Sequence, residues 1–207
     1  MIEANPNRYV IRVFVHYIGH ILKKNFHTIH LDTEYETPLS GSAVLIGNHV
    51  GWWDGFYAFY LNTQYFKKNF YIMMLEEELR KHRIFHKVGA FSIKKGTRSM
   101  LKSLNYAKNL LTKNNNLLVF FPQGKLHSLY CTDIRFEKGI TRIIDKKRSD
   151  SVFFFASFVD FLDNKKPTLF LAVRNATQYK TTPETTYEEA YQKFYAAFLH
   201  QQQNLIQ

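Results

Sequence analysis

A histidine and an aspartate that could act as a base and its orienting partner follow a short apolar segment. The segment covers residues 42–47 and leads into Asn48, His49 and, five residues beyond the histidine, Asp54. In such a pair the carboxylate fixes the imidazole tautomer and stabilises the imidazolium that forms. A five-residue offset requires a turn or a helix start to bring the side chains together, and Gly51 permits a turn. The pattern predicts general-base chemistry.

The same spacing occurs a second time in the sequence, between His27 and Asp32. The composition predicts about 0.3 such pairs per chain by chance, so the spacing alone is a weak signal. His27 and Asp32 follow a helical pattern in a polar connection, whereas ligands of α/β proteins gather beyond the carboxyl ends of strands. We therefore interpret His27 and Asp32 as surface residues, and His49 and Asp54 as the reactive pair.

A second motif, Phe-Pro-x-Gly, also follows an apolar segment. It consists of Phe121, Pro122, Gln123 and Gly124, and Lys125 comes next. Proline followed by glycine favours a rigid turn that exposes backbone N–H groups to an anion, although an ordinary turn after a strand has the same composition. About 0.02 chance occurrences per chain are expected, so this motif is more specific than the His–Asp spacing.

Three blocks of the sequence together resemble the lysophospholipid acyltransferases of the 1-acylglycerol-3-phosphate acyltransferase kind. They are N-H-x-x-x-x-D at 48–54, G-x-F-x-I-x-K at 89–95 and F-P-x-G at 121–124. The resemblance implies that His49, partnered by Asp54, activates a lyso-lipid hydroxyl to attack an acyl thioester of coenzyme A or acyl carrier protein. No cofactor and no metal is expected for this reaction. The implied substrate-binding residues are Lys95, Phe121, Pro122, Gln123, Gly124 and Lys125.

The third block departs from the usual family pattern, F-P-E-G-T-R-S. Gln123, Lys125 and Leu126 replace its glutamate, threonine and arginine, and Lys95 of the second block stands where arginine is usual. Lysine gives a point charge without the bidentate geometry of arginine. We therefore expect an acceptor other than, or in addition to, lysophosphatidic acid, such as a neutral, zwitterionic or amino-acid-containing lyso-lipid. Lys95, Lys125 or Arg135 could compensate for the missing arginines.

Short apolar segments alternate with helical patterns along the chain, which is typical of an α/β fold. A hairpin is predicted at Lys165-Lys166-Pro167, so we expect a mixed, largely parallel central sheet flanked by helices. Asn48 and Phe121-Pro122 should then lie at the carboxyl ends of neighbouring strands. The predicted strands are 42–47, 70–75, 89–93, 117–121, 152–159 and 168–173.

The chain is predicted to form a single domain. It would comprise an amphipathic helix within residues 1–25, a catalytic core at 40–175 and a C-terminal helix at 183–207, with Thr182 as its N-cap. The other helical patterns cover residues 9–25, 98–113 and 137–148.

The net charge of +11 favours an anionic partner such as nucleic acid, a phospholipid surface or a phosphorylated substrate. Zinc-finger, RNA-binding and basic-zipper motifs are absent from the sequence, so we expect no nucleic-acid partner. His82 and His86 have metal-ligand spacing but lack a third ligand in the sequence. A basic nucleic-acid-binding module and a degenerate, binding-only member of the fold are the alternatives to an acyltransferase.

The most apolar helical segment, Tyr9 to Leu22, is shorter than the roughly 20 residues of a membrane span. Because the implied acceptor is a lipid, we expect a peripheral enzyme at the inner, cytoplasmic face of the membrane. The helix at 9–25 would insert an apolar face into the interface and offer basic side chains to headgroups. That face comprises Val13, Phe14, Tyr17 and Ile21, and the basic side chains are Arg12, Lys23 and Lys24.

Overall fold

The computed structural model describes residues 1–33, 40–96, 98–137, 139–144 and 151–204. Its strands are β1 (Ile29–Thr33), β2 (Ala43–Gly47), β3 (Asn69–Leu75), β4 (Ala90–Ile93), β5 (Asn116–Phe120), β6 (Val152–Asp160) and β7 (Thr168–Asn175). Its α-helices are α1 (Arg8–Asn25), α2 (Asp54–Leu61), α3 (Glu76–Lys81), α4 (Ser99–Thr112), α5 (Ile140–Ile143) and α6 (Tyr187–Gln203). A 3₁₀ turn at Arg83–Val88 precedes β4.

All seven strands form one sheet in the order β1-β7-β6-β2-β5-β3-β4. Adjacent strands are parallel except for β6 and β7, which form the predicted antiparallel hairpin. The expected mixed, largely parallel sheet is therefore confirmed. Since β2 lies between β5 and β6, the residues after β2 and after β5 meet at the same edge of the sheet.

Side chains on the two faces of the sheet belong to two separate apolar clusters. Leu45 and Ile46 are neighbours in β2, yet Leu45 packs with α1 and α2 whereas Ile46 packs with α4 and α6. Helices therefore cover both faces, which explains why the strands appear in the sequence as continuous apolar segments.

Two predicted helices have different boundaries in the structure. α6 begins at Tyr187 and not at 183, because Thr186 and Glu189 form a capping box. Thr182, the predicted cap, lies in the turn before this box. The helix predicted at 137–148 is limited to α5 within the described residues, and residues 138 and 145–150 lie outside them.

The edge strand β1 was not predicted from the sequence. It lies at an edge of the sheet and pairs only with β7. Because it contains polar residues, a search for apolar segments does not find it. His27 is exposed, as expected, and precedes the strand. The interpretation of Asp32 as a residue of a polar connection is wrong: it lies in β1, half-buried, with an ion pair of 2.8 Å to Arg174 of β7.

Candidate active site

The predicted contact between His49 and Asp54 is confirmed. Asp54 is the first residue of α2, and its Oδ2 accepts hydrogen bonds from three donors in the preceding loop. These are Nδ1 of His49 at 2.8 Å and the backbone N–H groups of Val50 at 2.7 Å and Gly51 at 2.9 Å. The loop thus turns around one carboxylate oxygen, which is how a five-residue spacing brings the two side chains together.

Asp54 is fully buried, and its charge is balanced by these three donors and by the N-terminus of α2. Burial, followed by the charge of Asp54, raises the pKa of the Tyr57 hydroxyl well above its usual range. Tyr57 therefore stays protonated at neutral pH and does not compete as a base. Because Asp54 occupies Nδ1 of His49, the second ring nitrogen, Nε2, is the one available as a proton acceptor.

The backbone around His49 is fixed by residues from two other segments. Asn48 exchanges hydrogen bonds with the backbone of Ser157 in β6, at 3.1 and 3.3 Å. The His49 N–H donates to Oε1 of Gln123 at 2.6 Å, and the His49 carbonyl accepts from the N–H of His127 at 2.9 Å. The first and third sequence blocks are therefore joined directly at the histidine.

A row of packed side chains sets the orientation of the His49 ring. Phe121 stacks on the imidazole with ring centroids 4.7 Å apart. Phe155 of β6 contacts the ring of Phe121 edge-on. Phe155 in turn lies over Gly47, where an added Cβ would collide with the phenyl ring. Glycine at the end of β2 is thus required by the packing that supports the histidine.

His49 lines a cavity of about 800 Å³ whose walls are mainly aromatic and aliphatic. The cavity is lined from both faces of the sheet: Phe56 and Phe59 of α2 belong to one apolar cluster, and Leu104 of α4 and Ile143 of α5 to the other. Phe14 of α1 contributes to its wall and packs on Phe59 of α2 at 4.9 Å. Other aromatic lining residues are Trp52, Phe56, Phe70, Phe85 and Phe120.

Most of the predicted substrate-binding residues line this cavity together with His49. They are Lys95, Phe121, Pro122, Gly124 and Lys125. Gln123 is not among the described lining residues: its side chain is 4% exposed and accepts the hydrogen bond from the His49 backbone. The prediction that His49 and Gly124 share one pocket is confirmed.

Lys95 closes the turn formed by the third block. Its Nζ donates to the Gly124 carbonyl at 2.7 Å and to Oε1 of Glu137 at 3.1 Å. Gly124 has a left-handed φ of +66°, and an added Cβ there would collide with the Lys95 amine. The contact of Glu137 with Lys95 was not predicted from the sequence, because Glu137 lies in an irregular segment 13 residues beyond Gly124.

Arg135 is not brought to the cavity within the part of the chain that the structure describes. Its guanidinium binds Asp133 at 2.8 Å, and this contact raises the pKa of Arg135. Among the described residues, no group of three or more His, Cys, Asp or Glu side chains could hold a metal ion.

Matches to known proteins include a family model, a curated protein and a solved structure. A family model described as "Acyltransferase" matches residues 23–152. The 1-acyl-sn-glycerol-3-phosphate acyltransferase of Streptococcus pneumoniae is 28% identical over 140 residues, which cover 62% of this chain and 51% of that protein. This chain therefore spans about half the length of that curated relative.

The third match is a solved structure, that of the 1-acyl-sn-glycerophosphate (LPA) acyltransferase PlsC from Thermotoga maritima. It superposes with a TM-score of 0.53 at 14% identity and covers 94% of this chain and 78% of that one. The two chains share a fold.

Proposed function

This chain belongs to the acyltransferase family, and we propose that it transfers a fatty acyl group from an acyl thioester to a hydroxyl of a lyso-lipid. The observation that carries the proposal is the His49–Asp54 pair beside a large apolar cavity. The pair supplies a general base, and the cavity supplies a space in which a hydrocarbon chain is shielded from water.

In the proposed reaction, Nε2 of His49 removes the proton from the acceptor hydroxyl while the oxygen attacks the thioester carbonyl. Collapse of the tetrahedral intermediate forms the ester C–O bond and breaks the C–S bond. The proton held by the imidazolium then passes to the leaving thiolate. Asp54 acts through His49, because its carboxylate keeps Nδ1 protonated and stabilises the imidazolium.

The cavity supports a long-chain acyl group as the transferred group. Its volume lies within the ordinary range of ligand pockets, roughly 300–1,000 Å³. Each methylene group buried against such walls contributes about 0.8 kcal/mol. Binding energy would therefore come mainly from the chain.

The direct test is an assay of the purified protein with acyl-coenzyme A and with acyl-carrier protein, each offered with a panel of lyso-lipids. We expect an acylated lipid, detected by mass spectrometry, that requires both the thioester and the acceptor. Binding of lyso-lipid without turnover would indicate the binding-only alternative. Salt-sensitive binding of RNA or DNA would favour the nucleic-acid alternative, for which the fully buried Phe153, Phe154 and Phe155 offer no stacking surface.

We also propose that the protein works at a membrane surface. Within the described residues, every helix is too short or too polar to cross a bilayer. Of the face predicted to insert, Val13 and Tyr17 of α1 are exposed, together with Tyr9. Phe14 and Ile21 are only partly exposed and pack against the apolar cluster of that side of the sheet, so they do not form part of an insertable face.

Replacing both Val13 and Tyr17 with serine is expected to weaken vesicle binding about tenfold, because two exposed apolar side chains lose their burial in the interface. Sedimentation with vesicles of increasing anionic lipid content measures this, and binding should also weaken with salt. Phe161→Ser, which changes an exposed aromatic residue after β6, is the control. Loss of binding in the control but not in the double variant would place the membrane contact at the connection between β6 and β7.

A further inference from the structure

The lining of the cavity contains carboxylates as well as ammonium groups, although the chain as a whole carries a net charge of +11. Among the described residues, the charged side chains in the lining are Glu78, Lys95, Lys125 and Glu137. Glu78 is paired at 2.7 Å with Lys81, which is not one of the described lining residues, so Glu137 is the carboxylate that offsets the two lining ammonium groups. A phosphomonoester carries about −1.5 to −2 charges at neutral pH and is best held by an excess of cations. Because Glu137 offsets one of the two lining lysines, this excess is reduced to about one positive charge.

Glu137 is positioned to hold the cation nearest the third-block turn. Its Oε1 accepts from Nζ of Lys95 at 3.1 Å, and Lys95 also donates to the Gly124 carbonyl. The backbone N–H of Glu137 donates to the Pro122 carbonyl at 2.8 Å, which keeps this residue against the turn. The Lys95 ammonium is therefore already bound by a carboxylate and a carbonyl, and a ligand phosphate would have to compete with Glu137.

We propose that Glu137 determines the headgroup preference of the acceptor site and favours a lyso-lipid whose headgroup bears an ammonium group over one that ends in a phosphomonoester. The inference rests on the proposed function, in which a lyso-lipid hydroxyl accepts the acyl group. The Glu137 carboxylate attracts the ligand ammonium and repels the second negative charge of a phosphomonoester. Lys125, which also lines the cavity and is not the lysine that Glu137 holds, remains to bind the single anionic group of the same headgroup.

The test compares lysophosphatidylethanolamine with lysophosphatidic acid of the same acyl chain. The wild-type protein should have the higher kcat/KM for lysophosphatidylethanolamine. Glu137→Gln should shift the ratio of the two values about fivefold towards lysophosphatidic acid, the scale expected for one exposed charge pair. The fold should be unaffected because the Glu137 side chain is exposed and its backbone hydrogen bond is retained.

Asp133→Asn is a matched control. It removes the same charge from the same segment, and Asp133 and Glu137 side chains are both 63% exposed. Asp133 pairs with Arg135 and is not one of the described lining residues. The ratio should therefore stay within about twofold of the wild type. An equal shift in both variants would overturn the inference, since it would show an effect of net charge alone.

Binding of the two lipids, followed by tryptophan fluorescence, separates this inference from the proposed function. Trp52 lines the cavity, so its emission reports occupancy without turnover. A shift in the binding ratio in Glu137→Gln without acylation of either lipid would support the role of Glu137 and overturn the proposed transfer. Acylation with an unchanged ratio in Glu137→Gln, or a wild-type preference for lysophosphatidic acid, would overturn the role of Glu137 alone.

Discussion

Replacement of His49 with alanine is expected to lower kcat for acyl transfer by about 10²–10⁴-fold, the usual contribution of a general base. The substitution removes the nitrogen that accepts the hydroxyl proton. It leaves the hydrogen bonds to Gln123 and His127 in place, because they involve only the backbone of residue 49. Loss of the stacking contact with Phe121 should cost about 0.5–1.5 kcal/mol of stability. Steady-state rates with thermal unfolding of the same samples measure both effects.

His27→Ala is the natural control for this experiment. His27 precedes Asp32 with the same spacing, but it is exposed, lies before the edge strand β1 and is not one of the described lining residues of the cavity. Its substitution should leave the rate within about twofold. Similar losses in both variants would contradict the assignment of His49 as the base.

The sequence was sufficient to predict the contact between His49 and Asp54 because two independent signals agreed. Their spacing alone also selects His27 and Asp32, and only the preceding buried strand distinguishes the two pairs. That strand could be recognised because β2 is covered on both faces and is therefore apolar at every position. β1 escaped the same search because three of its five residues are polar and none is fully buried, whereas the other edge strand, β4, has three buried residues and was predicted.

The contacts of the third block could not be predicted from the sequence. Phe121 and Gly124 line the cavity, whereas the side chain of Gln123 between them is buried and accepts a hydrogen bond from the His49 backbone. Neighbouring residues of one motif therefore make different kinds of contact. Glutamine and glutamate both offer an oxygen to that N–H group. The change from the usual glutamate therefore keeps an oxygen that accepts this hydrogen bond.

Phe14 illustrates a second limit of sequence patterns. Periodicity places it on the apolar face of α1, and this is correct, but periodicity cannot tell a membrane from the rest of the protein as the partner of that face. In the structure α1 packs against α2 and the 3₁₀ turn before β4, and Phe14 becomes part of the cavity wall. Only tertiary packing decides which residues of such a stripe remain exposed.

Asp54→Asn is expected to lower kcat about 10³-fold while leaving the loop around it largely in place. All three donors converge on Oδ2, whereas Oδ1 accepts no hydrogen bond from the described residues. The asparagine oxygen can replace Oδ2 and keep every one of these bonds. What is lost is the negative charge that stabilises the imidazolium. The buried amide NH₂ at the Oδ1 position should cost about 1–3 kcal/mol of stability, so rates must be measured well below the unfolding temperature.

The double variant His49→Ala/Asp54→Asn tests whether Asp54 acts only through the histidine. If it does, the effects will not add, and the double variant should be no slower than His49→Ala alone. Asp32→Asn is the matched control, since it removes the carboxylate of the second His–Asp pair and should leave the rate within about twofold. A double variant that is tenfold or more slower than His49→Ala would mean that the Asp54 charge acts on the substrate directly. The complete burial of Asp54 argues against that outcome, because its carboxylate has no exposed surface and is not among the described lining residues of the cavity.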